Sequence, residues 1–324
     1  MKSISLLELA KEAGVSKTTV SLVLNGKAEK YNISRRTIEK VLTLAREKNY
    51  KPNILARSFS MGKSMTIGFV MKKSDHSGSA VLMAMFDNEV GKHGYRIISA
   101  FLEDDGSNEL TLISDLVERG IDAVAFFRTG SSDSVEILKT GGILYVLLDP
   151  PSGAESDKSV MFDAGAGVRK LIGHWYTRSK RTIGYIGKKE GNRQLRNSYR
   201  ENYIERFSMK GDYLLLLKER DDDKKLEKHL QTLLQKGVNA IMFESPDLAY
   251  RALKVISDAP AAFQDVSFGS YGYDPAFDVA FKKVIYVDLP FNRLAEYAAE
   301  LLMRFSGKSI SSEPDRLVEP ELVS

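Results

Sequence analysis

Four residues near the start of the chain, Lys17, Thr18, Ser21 and Leu22, recur at spacings that put them on one helical face. A lysine and short hydroxyl side chains at the amino end of a helix suit one chemistry well. They can reach base edges in a major groove, while the helix terminus and Ser16 approach backbone phosphate. A polar exposed face on an ordinary helical hairpin is the plainer reading of the same pattern.

The elements that must hold this face can be read around it. Ser5-Leu6-Leu7-Glu8 has the pattern of a capping box, with Leu6, Leu9, Ala10 and Ala13 lining one side of the helix that follows. Gly14 fits the left-handed residue past its end, Val15 plugs the corner, and Ser16 caps a second helix. Val20, Val23 and Leu24 form that helix's buried stripe, and Asn25-Gly26 ends it. A third helix after Ser34 covers the pair with Ile38, Val41, Leu42 and Ala45, leaving Arg35, Arg36, Lys40, Arg46 and Lys48 outside.

Charge supports the polyanion reading. The chain has 324 residues and a net charge of +4. Residues 1–63 carry 13 Lys and Arg against 5 Asp and Glu, a net of +8, whereas the remainder carries 34 against 38. The excess therefore sits in one small module.

The segment "ISLLELAKEAGVSKTTVSLVLNG", followed by "ISRRTIEKVLTLAREKNYKPNILARS", resembles the DNA-binding head of the lactose-repressor (LacI/GalR) family. The resemblance implies base reading by Lys17, Thr18 and Leu22 and phosphate contacts from Ser16, Thr19, Ser21 and Asn25. Leu22 stands where many members carry an arginine aimed at guanine. Leucine donates no hydrogen bond but packs on a thymine methyl, so the DNA site should differ at that base.

Pro52 stops the third helix, and Asn53 can cap a short helix from Ile54 to about Ser60 that Gly62 ends. So short a helix should fold only when held. The resemblance implies a hinge that wedges the minor groove, with Phe59 in the place of a leucine and Arg57 near the DNA backbone. The plain alternative is a linker. "SMGKS" is not a phosphate loop, because the glycine needed five residues before Gly62 is Arg57.

From Met65 onward, short apolar strands alternate with amphipathic helices, the pattern of parallel sheets covered on both faces. "MTIGFVMK" through "ILYVLLD" makes one set, and "KSVMFD" through "VSFGSY" a second, with a helix expected over 197–209. "VIYVDLP", the helix Phe291–Phe305 and "RLVEPEL" read as a return to the first lobe. The expected organisation is a helix-turn-helix domain over 1–50, a hinge helix or linker over 51–62, and a two-lobed body over 63–324. Lobe 1 takes about 63–162 and 289–324, and lobe 2 about 163–288. The resemblance implies a periplasmic-binding-protein-like effector and dimerisation domain with its ligand between the lobes.

The ligand residues depart from the family pattern. Tyr199 falls where an arginine is usual, Gly272 stands in place of an acid with Asp274 two places on, and Ser245-Pro246 replaces an asparagine–aspartate pair. Asp149 and Asp163 match positions at strand ends facing the cleft. Asp149, Asp163, Tyr199, Ser245 and Asp274 are therefore the candidate effector residues, for an altered polar ligand such as a sugar or sugar derivative, with loss of the effector response as the alternative.

Other classes find little support. His76, His93, His174 and His229 lack metal-ligand spacing, and the chain has no cysteine. "DAGAGVRKLIG" carries Lys170 where a dinucleotide loop needs its third glycine. No nucleophile–base pairing is visible. No apolar run reaches membrane-span length and no signal peptide pattern opens the chain, so a cytoplasmic protein without a membrane partner is expected. No cofactor and no metal are expected. The partners expected are pseudo-palindromic double-stranded operator DNA, a small-molecule effector and a second copy of the chain, with a tetramer as the larger alternative. The function expected is a sequence-specific transcription regulator, a repressor. The alternative is a two-lobed small-molecule sensor or binding protein whose DNA role is secondary or effector-independent.

Overall fold

The structure, a computed structural model, describes residues 4–24, 26–50, 62–73, 78–151, 153–154, 158–189, 191–209, 211–218, 221–280, 283–305 and 316–324. Asn25 and the hinge candidates Asn53, Arg57 and Phe59 lie outside the described residues. Two units separate at residues 64 and 65.

The first unit has three helices, α1 (Leu6–Ala13), α2 (Lys17–Leu24) and α3 (Arg35–Glu47). The capping box at α1 is complete. Ser5 Oγ accepts from the Glu8 amide at 3.2 Å, and the Ser5 amide donates to Glu8 Oε2 at 2.8 Å. Gly14 ends α1 at φ +66°, a left-handed conformation that glycine adopts without steric cost. Leu9, Ala10, Ala13, Val20, Val23, Ala28, Val41 and Ala45 make the core, which fixes α2 by its inner stripe alone.

The second unit holds two six-stranded sheets. In chain order its elements are β1 (Thr66–Lys72), α4 (Ser79–Gly91), β2 (Arg96–Leu102), α5 (Glu109–Glu118), β3 (Ala123–Phe127), α6 (Ser132–Thr140), β4 (Leu144–Leu148) and β5 (Ser159–Phe162). The second series is α7 (Ala164–Thr177), β6 (Ile183–Lys188), α8 (Arg193–Tyr199), β7 (Leu214–Leu217), α9 (Asp223–Gln235), β8 (Ala240–Phe243), α10 (Pro246–Ser257), β9 (Ser267–Tyr271) and β10 (Val284–Asp288). α11 (Phe291–Phe305), β11 (Arg316–Val318) and β12 (Glu321–Val323) close the chain. The sheet orders are β11-β5-β4-β3-β1-β2 and β12-β10-β9-β8-β6-β7. Every pairing is parallel except β10 with β12.

Three expectations change. "KSVMFD", grouped with the second set although the expected lobe 1 runs to about 162, opens no second sheet: β5 pairs with β4 and belongs to the first. The terminal "RLVEPEL" is split between lobes, because β11 joins β5 whereas β12 turns back beside β10. The helix expected over 197–209 begins a turn earlier, where Asn192 Oδ1 caps it by accepting from the Leu195 amide at 2.9 Å, and it widens to a π-helical turn over Arg200–Glu205.

The chain thus crosses between lobes three times. β5 passes through Asp163 into α7, β10 through Leu289 and Pro290 into α11, and β11 through Glu319 and Pro320 into β12. Since each crossing leaves from the carboxyl end of a strand, the strand tips of both sheets meet there. The Asp163 amide donates to Val318 O at 2.9 Å, and Lys170 Nζ to Pro320 O at 2.7 Å, so the first and third crossings are stitched together.

One apolar layer runs from Ile67, Phe69 and Phe127 of the first sheet through Val168, Leu171 and Trp175 of α7 to Tyr185 and Tyr199 of the second lobe. α7 lies so close to β9 that a Cβ at Gly269 would come within 2.7 Å of the Trp175 indole. Gly269→Ala should therefore destabilise the body by about 1–3 kcal/mol through overpacking, read as a lower urea midpoint with an unchanged slope.

Candidate functional site

Two places collect the residues singled out by the sequence. The first is the outer face of α2. Ser16 Oγ accepts from the Thr19 amide at 3.0 Å and pairs with Thr19 Oγ1 at 2.8 Å, so both hydroxyls build the cap. Lys17 and Thr18 are exposed, Ser21 and Leu22 half-buried, and Val20 and Val23 buried beneath them. Residues 17 and 21, and 18 and 22, stack one turn apart, which makes a stripe of the four. α2 has no acid in its first turn and carries Lys17 there instead, against the helix dipole. A cation so placed contributes nothing to the helix and points to an anionic partner.

The second place is the seam where the strand tips meet. Asp149 follows β4 directly at φ +48°, and Arg128 follows β3 directly at φ +52°. Aspartate tolerates this left-handed conformation, whereas in an arginine it costs about 1–3 kcal/mol, the kind of strain that clusters at functional sites. Asp149 is buried, and its Oδ2 accepts from Arg128 Nε at 2.9 Å. The Arg128 guanidinium carbon lies 4.8 Å from the centre of the Phe127 ring. Phe291, from the second crossing, packs edge-on against Phe162 at 5.4 Å and Phe127 at 6.4 Å, over Gly78, whose φ of +80° and lack of a side chain make room for the ring. A polar pair beside an aromatic wall is the composition of a small-molecule pocket.

Asp163 caps α7: its Oδ1 accepts from the Ala166 amide at 2.8 Å, while Oδ2 lies 3.8 Å from an Arg169 nitrogen. Ser245 caps α10, with its Oγ accepting from the Leu248 amide at 3.4 Å. Pro246 beside it lies against Gly272, near Leu289 of the second crossing. Asp274 caps a 3-10 turn of its own, accepting from the Ala276 amide at 2.8 Å.

Tyr199 is a correction. It is fully buried in the second lobe, with its ring between Tyr185 and Tyr203 and its hydroxyl donated to Ile183 O at 2.6 Å. A side chain so committed has nothing to offer a ligand.

The residue the sequence did not single out is Tyr271. It ends β9, is 5 % exposed, and its hydroxyl has no hydrogen-bond partner among the described residues. Burial pushes its pKa far up; the neighbouring Asp149 and Asp163 add to this and Arg128 opposes it, so the group is a neutral donor lying among all three. Gly167 of α7 makes room for the ring, since a Cβ there would come within 2.9 Å. An apolar strand ending in an aromatic reads as core, and only the fold shows which lobe's tips it faces.

An open cavity of about 390 Å³ lies elsewhere, between the carboxyl-terminal part of α4 and α11, lined by Glu89, His93, Glu296 and Glu300 among others. Helix α4 has by then run back to the opposite edge of the sheet. The three glutamates are already paired with Lys92, Arg293 and Arg304. The seam, by contrast, holds the buried hydroxyl of Tyr271, unpaired among the described residues. Among the described residues no helix is long and apolar enough to cross a membrane.

Residues 5–53 match the bacterial regulatory proteins of the lacI family. The fold joins that helix-turn-helix head to a two-lobed body of parallel sheets, as in the lac repressor dimer bound to operator and the anti-inducer ONPF. That structure superposes with a TM-score of 0.82 at 19 % identity, covering 100 % of this chain and 98 % of the other. The family match covers the head, residues 5–53, and the likeness of the body to the lac repressor is one of fold. The catabolite repressor/activator of Escherichia coli (strain K12) is 37 % identical over 117 residues, 36 % of this chain and 35 % of that protein. The fructose operon regulatory protein of Vibrio cholerae is 31 % identical over 186 residues, 56 % and 57 % of the two chains. The matched stretch thus spans about a third and just over half of the length of these two relatives.

Leaving a buried donor without an acceptor costs about 1–3 kcal/mol. Tyr271→Phe should accordingly raise the unfolding midpoint of the ligand-free chain, measured by calorimetry, and a lowered midpoint would mean that the hydroxyl is already satisfied.

Proposed function

We propose that this chain is a sequence-specific DNA-binding transcription regulator, a repressor, that acts as a homodimer on a pseudo-palindromic operator and answers to a small polar molecule held at the seam of the two lobes. The observation that carries the reading is the α2 stripe. Lys17 and Thr18 stand exposed at the amino end of a helix whose other face is buried, on a module with an eight-charge positive excess. The names of the relatives, regulators and a repressor bound to operator, agree with it.

In this reading Lys17, Thr18 and Leu22 meet base edges, with Leu22 on a thymine methyl, and Ser16, Thr19, Ser21 and Asn25 lie along the phosphates. Asn53, Arg57 and Phe59 belong to a hinge segment that folds on DNA, where the Phe59 ring wedges a base step. The ligand takes the acceptor oxygens of Asp149, the Tyr271 hydroxyl and the aromatic wall of Phe127, Phe162 and Phe291, with Asp163 and Ser245 at the rim and Asp274 beyond it. A sugar or sugar derivative has the required mix of hydroxyls and an apolar face. A coupling of about 1–3 kcal/mol between the two sites is enough to switch DNA affinity. The chain is a regulator and not an enzyme, and it works in the cytoplasm, where its DNA is.

The test is a binding titration on operator fragments against scrambled competitor. The logarithm of affinity should fall linearly with the logarithm of salt concentration as counterions are released, whereas a two-lobed sensor that does not engage DNA shows no such slope. Lys17→Ala or Thr18→Ala should cost about 1–3 kcal/mol of specific binding and much less of random-sequence binding; equal losses on both would refute base reading. Phe59→Ala should reduce operator bending, measured by gel phasing, while leaving the body's unfolding midpoint in place.

A further inference from the structure

Glu244 is a carboxylate in the wrong place for a solvated one. It follows β8 directly, is 8 % exposed, and faces the loop from β6 to α8. Its Oε2 accepts from the Tyr185 hydroxyl at 2.8 Å and the Lys188 amide at 3.2 Å, and its Oε1 accepts from the Asn192 amide at 2.8 Å. Three donors converge on two oxygens, and none of these groups needs a proton from the carboxyl. That is the coordination of an ionised carboxylate. Burial pushes the Glu244 carboxyl up, against the pull of Tyr185, Asn192, Arg196 and Lys188.

The loop is shaped around this anion. A Cβ at Gly187 would overlap one carboxylate oxygen and a Cβ at Gly191 the other, so both positions must be bare. Arg196 closes the far side. It donates to Lys189 O at 3.1 Å, its charge favours the carboxylate, and its Nε is buried with no hydrogen-bond partner among the described residues. Two backbone amides, a phenol, a guanidinium and two glycines make a cradle for a small anion, and the chain supplies that anion itself.

We propose that the second lobe carries a carboxylate-binding cradle, formed by the Lys188 and Asn192 amides and the Tyr185 hydroxyl, whose resident occupant is Glu244. Lys188 and Asn192 lie at the strand-tip edge, beside Ser245, and their amides are held by an internal anion. The seam is therefore finished on this side without a small molecule. Removing the side chain opens a site for free carboxylates, formate and acetate being the smallest. The cradle belongs to the body and is independent of DNA binding, so it holds or fails apart from the regulatory reading.

Hydrogen exchange on the full chain tests it. In Glu244→Ala, the Lys188 and Asn192 amides should exchange about tenfold faster, the equivalent of one lost hydrogen bond of about 1.4 kcal/mol. Added formate should restore their protection in a saturable way, chloride at equal ionic strength should not, and the wild type should respond to neither. Unchanged exchange in the variant, or recovery with chloride as good as with formate, overturns the proposal. Should Glu244→Ala fail to fold, Glu244→Gln keeps the volume. Its amide nitrogen must face a donor on one side, so one of the two amides should lose protection. Wild-type protection at both amides in Glu244→Gln overturns the cradle.

Discussion

The direction of the strands governs this molecule. With all but one pairing parallel, each sheet gathers its carboxyl-terminal tips on a single edge, and three crossings that leave from those tips oblige the two edges to face each other. Tyr271 is brought within electrostatic reach of Arg128 and Asp163, each more than a hundred positions earlier in the chain, by that constraint alone. The head obeys a simpler version of the same logic. A buried stripe fixes one side of α2 and leaves the opposite side available to a partner.

What could be read without coordinates follows from range. Local chemistry was legible: the Ser5–Glu8 capping box, Gly14 as a left-handed stop, Ser16 as the cap of α2, and the alternation that fixes parallel sheets all depend on residues within a few positions of each other. Long-range pairing was not. Nothing near Glu321–Val323 announces that it turns antiparallel beside β10, and "KSVMFD" looks the same whether it opens a new sheet or closes an old one. Tyr199 and Tyr271 make the contrast sharpest. Both are tyrosines on buried elements, yet one hydroxyl ends on a backbone carbonyl of its own lobe while the other is left facing the opposite lobe's charges. Sequence carries no sign of which is which, because the difference lies in what the far lobe presents.

The seam gathers several local costs. Arg128 sits left-handed, the Tyr271 hydroxyl is buried without a partner among the described residues, and Arg128 and Asp149 face each other at a boundary between lobes. By contrast, the β6–α8 loop on the other wall has its carboxylate, amides and phenol matched to one another. The first wall leaves a phenol unpaired, and the second meets its carboxylate in full while leaving the Arg196 Nε without a partner among the described residues.

Arg128 has a consequence for anyone breeding variants of this chain. At φ +52°, asparagine or glycine would sit more comfortably than arginine. Replacing it would relieve the backbone by about 1–3 kcal/mol but strand the buried Asp149 carboxylate at a cost of about 3–5 kcal/mol, so a screen for heat tolerance would keep this awkward arginine in place.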